Sequence, residues 1–162
     1  MPVNHIELDI LEIADYFVEA SLQKQTKMGQ MKLQLLLYYG QGWHLALYGQ
    51  PLFQESFHKW GFGPASPKVA QAFKHFEAKS ITAPSLPQRP PLPVTIQVFL
   101  DDIHQHYSHF NGMTLSNMVK LEDPFRQCPP EQTVIANEAL QRFFNQQKLK
   151  AHSLIQQHSQ AS

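Results

Sequence analysis

The sequence is short of several things, and each shortage excludes something. It has one cysteine, Cys128, in 162 residues. A single thiol cannot close an intramolecular disulfide, and the paired Cys-x-x-Cys spacing of zinc and redox motifs is missing. A reducing compartment, the cytoplasm, is the expected location. No run of 18 apolar residues occurs, which leaves no candidate for a membrane-spanning helix. The opening, MPVNHIELDI, has neither a basic start nor an apolar stretch, and no signal peptide is expected. Net charge is missing too, because 13 Lys and Arg balance 13 Asp and Glu. A neutral chain exerts no long-range pull on a phosphate backbone, which argues against a general nucleic-acid coat. Neither G-x-x-x-x-G-K-[ST] nor G-x-G-x-x-G occurs, and with them goes the usual cradle for a nucleotide phosphate.

What is present is a core. Hydrophobic residues make up 43% of the chain, with 11 Phe, 5 Tyr and 2 Trp, and the length suits one domain that needs no disulfides. Glutamine is abundant at 19 residues and dense after Gln141; charges and apolar residues interrupt it, as in a solvated face with a frayed end.

The periodicity predicts a first helix from about Ile6 to Gln23. Asn4 and Glu7 have capping-box spacing, and Ile6, Ile10, Ile13, Phe17 and Ala20 form its apolar stripe. Glu7, Asp9, Glu12, Asp15 and Glu19 read as its solvated outer face. A second helix, Met31 to Leu47, is apolar on more than one face, which marks the central helix of a cluster. Gly40 and Gly42 inside it call for close packing of a neighbour or a kink, and Gly49 followed by Pro51 ends it. Residues 50–67 are irregular and rich in aromatics and glycine. Ser66-Pro67 opens a third helix reaching about Glu77, with Val69, Phe73 and Phe76 inward. Five prolines between Pro84 and Pro93 make a stiff connection. A fourth helix over Thr95–Tyr107 carries Val98, Phe99, Ile103 and Tyr107. Thr114 caps a short fifth helix through Leu121, a loop follows, and a last helix starts near Asn137. The fold class is mainly α: a compact single-domain bundle of about six helices, with a short β-hairpin near residues 53–62. The expected domain is 1–148, followed by a flexible tail over 149–162.

Catalytic and metal readings find little to stand on. His104, His106 and His109 are close in sequence, yet positions 104 and 106 of a helix point roughly 160–200° apart. No H-E-x-x-H accompanies them. His44 reads as a satisfied core or boundary histidine. No nucleophile motif surrounds Cys128, which reads as a small buried hydrophobe. The adjacent carboxylates Asp101 and Asp102 lie about 100° apart on a helix, a poor acid–base pair. The expectation is a protein that is not an enzyme and carries no cofactor and no metal. Residues 54–80 offer a binding surface instead. There Lys59, Lys68, Lys74 and Lys79, with His58 and His75, face only Glu55 and Glu77 beside several aromatics. Three readings stay open: aromatics pinning the loop to the core, a protein interface with aromatic anchors, or a nucleic-acid surface.

One long stretch carries a resemblance. The run from Lys32 to Phe76 resembles the signature of the SocA-like, Panacea-domain antitoxin family of phage-associated proteins. Lys32, Leu33, Gln34, Leu36, Leu37, Tyr38, Tyr39, Gln41, Gly42, Trp43 and His44 match its helix K-L-Q-K-L-L-Y-Y-A-Q-G-W-H-L-A-L. Pro51, Leu52 and Phe53 match its G-x-P-L-F, and Trp60, Gly63 and Pro64 its tryptophan–glycine–proline segment. Further on, Leu115, Ser116, Glu122 and Pro124 match L-S-x-L-T-H-x-E-x-P-W, and Ile135–Phe144 resembles the closing helix. Leu35 stands where lysine is usual, Val119 for threonine, Lys120 for histidine and Phe125 for tryptophan.

The resemblance implies an antitoxin that neutralises a cognate toxin protein by direct binding. The alternative it implies is a proteolytic adaptor or a phage-associated regulatory module, with a cellular protease as a further partner. Nucleic acid and membrane are not implied as partners. Motif and aromatic loop together single out Lys32, Gln34, Tyr38, Trp43, His44, Phe57, Trp60, Gly63, Pro64 and Lys120 as candidate partner-binding or motif positions. If the positions of Leu35 and Lys120 touch the partner, this chain's partner differs from the family's or its activity is lost.

Overall fold

The computed structural model describes residues 8–160, with side chains as far as residue 150. Seven α-helices and a small antiparallel sheet follow one another as α1 (Ile10–Gln23), α2 (Gln30–Tyr48), β1 (Phe57–Trp60), β2 (Gly63–Ala65), α3 (Pro67–Phe73), α4 (Val94–Tyr107), α5 (Gly112–Lys120), α6 (Asp123–Arg126), β3 (Val134–Ile135) and α7 (Asn137–Gln160). A 3-10 turn, Lys74–Phe76, continues α3 where an unbroken helix to Glu77 is expected.

Helix α2 is the axis of the molecule. Every residue from Leu33 to Gly42 is buried, as its all-round apolarity requires. Helices α1, α4, α5 and α7 and strand β2 all pack on it. Gly42 is the point of closest approach, since a Cβ there would lie 2.1 Å from Phe144 Cε2 on α7. Gly40 meets nothing nearer than Leu52 Cδ2 at 3.7 Å, and packing does not demand glycine there. Gly49 ends α2 in the left-handed region at φ 70°.

The hairpin sits at 57–65, later than expected, and gains a third strand in the order β2-β1-β3. Trp60 pairs with Gly63, which leaves a two-residue tip of Gly61 and Phe62, and Phe57 pairs with Ile135 across to β3. Gly63 has φ 141°, a conformation that L side chains rarely adopt.

Several expectations are corrected. The capping box of Asn4 and Glu7, and Ile6 with it, lie outside the described residues. Helix α1 begins at Ile10, because Leu8 is held in a parallel bridge to Phe53 and Asp9 Oδ1 accepts from Leu11 N at 2.8 Å as the cap. Asp15 is buried rather than solvated. Its carboxylate accepts from Ser85 N at 2.6 Å, Ser85 Oγ at 2.9 Å and Leu86 N at 2.9 Å, and so clamps the proline segment to α1. Glu19 joins that clamp by pairing with Arg89. In α4, Val98 faces solvent at 57% exposure, while Leu100 and His104 turn inward. Asn111 caps α5, accepting from Thr114 N at 2.8 Å; Thr114 is its third residue and not the cap. Asp123-Pro124 starts the short helix α6 instead of continuing a loop.

Candidate partner-binding site

Two glutamines in α2 explain how the hairpin is held. A primary amide offers one acceptor and two donor hydrogens, and can therefore pair with both groups of a passing backbone. Gln34 Nε2 donates to Ser66 O at 2.9 Å and its Oε1 accepts from Ser66 N at 2.8 Å. Gln41 repeats the arrangement two turns later, donating to Phe53 O at 2.9 Å and accepting from Leu52 N at 2.7 Å. Both side chains are buried, where an unpaired amide would be costly. The segment before the hairpin and the one after it are thus both bonded to α2.

A second cluster joins α2 to α4 and to the corner between α5 and α6. Tyr39 OH donates to Glu122 Oε1 at 3.0 Å, and the Tyr39 ring stacks on Tyr107 at 4.1 Å between centroids. Trp43 Nε1 donates to Tyr107 OH at 2.7 Å. Burial pushes the Glu122 carboxyl up to about 7, and the Tyr39 hydrogen bond opposes that rise only in part. Burial also raises the Tyr107 phenol to about 12 and lifts Tyr38 and Tyr39 well above the ordinary phenol value. The Tyr38 hydroxyl is buried with no hydrogen-bond partner among the described residues. Chemically the cluster is a carboxyl held above its ordinary value inside a wall of tyrosines, and it ties three elements together.

The ten singled-out residues are not gathered in one place. Gln34, Tyr38, His44, Phe57, Gly63 and Pro64 are buried. His44 Nδ1 lies 2.6 Å from Gln50 O, as a satisfied boundary histidine does. Lys32 is half-buried and donates to Ser108 O; burial lowers its pKa. Trp43 and Lys120 are half-buried, and Trp60 is exposed at 37%, with its ring edge-on to Phe62 at 6.1 Å. That exposure leaves Trp60 outside the buried core.

The departures also separate. Leu35 and Val119 are wholly buried and meet at Gly63, where a Cβ would lie 3.2 Å from Leu35 Cδ2 and 3.0 Å from Val119 Cγ1. Both are core residues in this chain. Lys120 and Phe125 are half-buried.

Two lysines of the basic segment are paired. Lys68 bridges Asp9 at 3.0 Å and Glu55 at 3.1 Å, and those partners raise its pKa. Lys59 lies over the Phe125 ring at 5.0 Å and donates to Cys128 O at 2.9 Å. Lys74, Lys79 and His75 remain exposed. Among the described residues, no group of three or more His, Cys, Asp and Glu is placed to hold a metal. Cys128 is buried, its Sγ 3.5 Å from Gln132 O. His104 is buried beside Ser21 Oγ at 3.2 Å, and burial together with Lys24 and Lys32 lowers its pKa. His106 and His109 are exposed. No described helix is long and apolar enough to cross a membrane.

The glutamine clasps, the tyrosine–glutamate cluster on α2 and α5–α6, and the hairpin all fall within one stretch. The family model of the antitoxin SocA-like Panacea domain matches residues 33–125, more than half of the 162. The chain belongs to this family. No curated protein and no solved structure matches it. Members of the Panacea family act by binding proteins. The Panacea match begins at Leu33 on α2 and ends at Phe125 on α6. Most motif residues at its centre are holding this architecture together. Sequence reasoning missed the Tyr39–Glu122 bond and the Asp15 clamp. Glutamines on an otherwise apolar helix were the one signal of buried polar pairing, and Gln34 and Gln41 carried it.

Proposed function

We propose that this protein is an antitoxin that neutralises a cognate toxin protein by direct, stoichiometric binding. The Panacea match over residues 33–125 carries the reading. The exposed aromatic Trp60, on β1 beside the hairpin tip, supports it, because tryptophan loses little side-chain entropy on binding and is enriched among the residues that dominate interfaces. The buried state of most polar motif residues supports a scaffold that presents a surface, in preference to a reacting centre.

The test is co-expression with the protein encoded by the neighbouring reading frame. Growth arrest by that neighbour alone, relieved by this chain, together with a nuclease-resistant stoichiometric complex, is the expected result. A neighbour without toxicity, or toxicity unchanged by co-expression, would overturn the reading. Protease subunits in the complex and faster turnover of the neighbour would point to delivery for degradation.

A further inference from the structure

Helices α2 and α4 run antiparallel, as the contacts of Tyr48 and His44 with Phe99 and of Trp43 with Tyr107 require. On their outer side they leave an open groove of about 340 Å³. Its walls are apolar and unusually exposed: Leu47 at 47%, Tyr48 at 60% and Val98 at 57%, over Phe99 and Trp43. Single exposed apolar side chains need no explanation, but a contiguous set lining a concave surface marks a binding site. Helix α7 meets α2 at Gly42 and Leu45 through Phe144 and Gln141, and it borders the groove at Trp43, on which the Phe144 ring packs at 5.1 Å; none of the described α7 residues is among the lining. One charge lines the groove, the exposed carboxylate of Asp102, which has no ion pair among the described residues. Asp101, one residue earlier on α4, lies outside the lining and accepts from Tyr16 OH at 2.7 Å; His106 is the histidine of the lining, and no lysine or arginine lines the groove. All of the lining residues lie inside the matched stretch 33–125.

The geometry points to a partner helix seated in this groove, with an apolar stripe against Leu47, Tyr48 and Val98 and a lysine or arginine beside Asp102. The lining of α4 runs from Thr95 to Tyr107, about 18 Å at 1.5 Å per residue, which accepts about three turns of helix laid lengthwise. An acidic edge on an apolar trough selects a basic amphipathic helix over an acidic one, because a glutamate facing Asp102 would be repelled while losing its water. The assignment deepens the antitoxin reading and rests on it for the statement that the partner is the toxin.

Two arms test it. In the first, Trp60→Phe leaves Trp43 as the only tryptophan, and its fluorescence reports titration of an 18-residue Leu/Lys helical peptide and of its Leu/Glu counterpart. The Leu/Lys peptide is expected to shift the Trp43 emission and to bind about tenfold more tightly or better, roughly 1.4 kcal/mol. Val98→Asp should abolish the shift, and Asp102→Asn should remove the preference for lysine, with thermal unfolding unchanged in both. Equal binding of the two peptides, no binding, or indifference to Val98→Asp overturns the proposal. In the second arm, Leu47→Asp and Val98→Asp are tested for relief of the neighbour's toxicity. Loss of relief with the fold intact supports the groove. Full relief by both variants overturns the groove and leaves the antitoxin reading standing. No relief by the unaltered chain overturns the antitoxin reading, and the peptide arm then decides the groove alone.

Discussion

Glu122 is a carboxyl whose ordinary value is 4.5 and which burial pushes up to about 7. The folded chain therefore holds this proton more tightly than the unfolded chain does. Its contribution is full below about pH 4.5, falls as pH rises through the window from 4.5 to 7, and is gone above it; the span is at most on the order of 3 kcal/mol. His104 acts in the opposite sense, since its lowered pKa makes stability rise with pH up to about 6.5. The difference between the unaltered chain and Glu122→Gln isolates the carboxylate. The glutamine variant should unfold at a higher temperature at pH 8 and at a similar one at pH 4.5, and identical profiles for the two would refute the buried-proton account. Gly42 supplies a second residue-scale outcome. Gly42→Ala should cost about 1–3 kcal/mol by overpacking against Phe144, despite alanine's better helix propensity. Combined with Phe144→Ala it should cost less than the two separately, and strict additivity in a double-mutant cycle would deny the contact.

At the scale of elements, the two long apolar helices α2 and α4 were easy to place. Helix α2 was expected at Met31–Leu47 and lies at Gln30–Tyr48; α4 was expected at Thr95–Tyr107 and lies at Val94–Tyr107. What the pattern hid was any polar residue whose partner is far along the chain. Asp15 looks like one more acid on a solvated face, yet its partners are Ser85 and Leu86, 70 and 71 residues away. Local periodicity contains nothing about them. The same holds for Tyr39 and Glu122, separated by 83 residues. The hairpin was displaced because an aromatic-rich loop with several glycines offers more than one register, and the Gln34 clasp on Ser66 helps to select this one. The Asp15 clamp carries its own prediction. Asp15→Ala strands the Ser85 and Leu86 amides and should cost about 1–3 kcal/mol, with new proteolytic cleavage inside residues 84–93. Unchanged protease resistance and unchanged amide exchange at Leu86 would show that the prolines alone hold the segment.

The whole molecule is larger than its matched stretch. The family match ends at Phe125, but the core does not. Phe144 of α7 packs edge-on against Tyr38, Tyr39 and Trp43, with ring centroids 5.1–6.0 Å apart, and fills the notch at Gly42. On the other side, Ile10, Ile13 and Phe17 of α1 are fully buried in the same core. Removing α1 and α7 exposes faces of α2 that are apolar all round, and no remaining element covers them. Losing one buried phenylalanine costs about 3–5 kcal/mol, which is comparable to the whole stability of many small domains. A fragment of residues 33–125 should therefore show no cooperative thermal transition, although it spans the entire family match. A chain ending at Lys148 keeps Leu140, Phe143 and Phe144 and should unfold cooperatively near the temperature of the full chain. Cooperative unfolding of the 33–125 fragment would mean that α1 and α7 are additions to a self-sufficient domain; failure of the chain ending at Lys148 would mean that the last turns of α7 contribute to the fold.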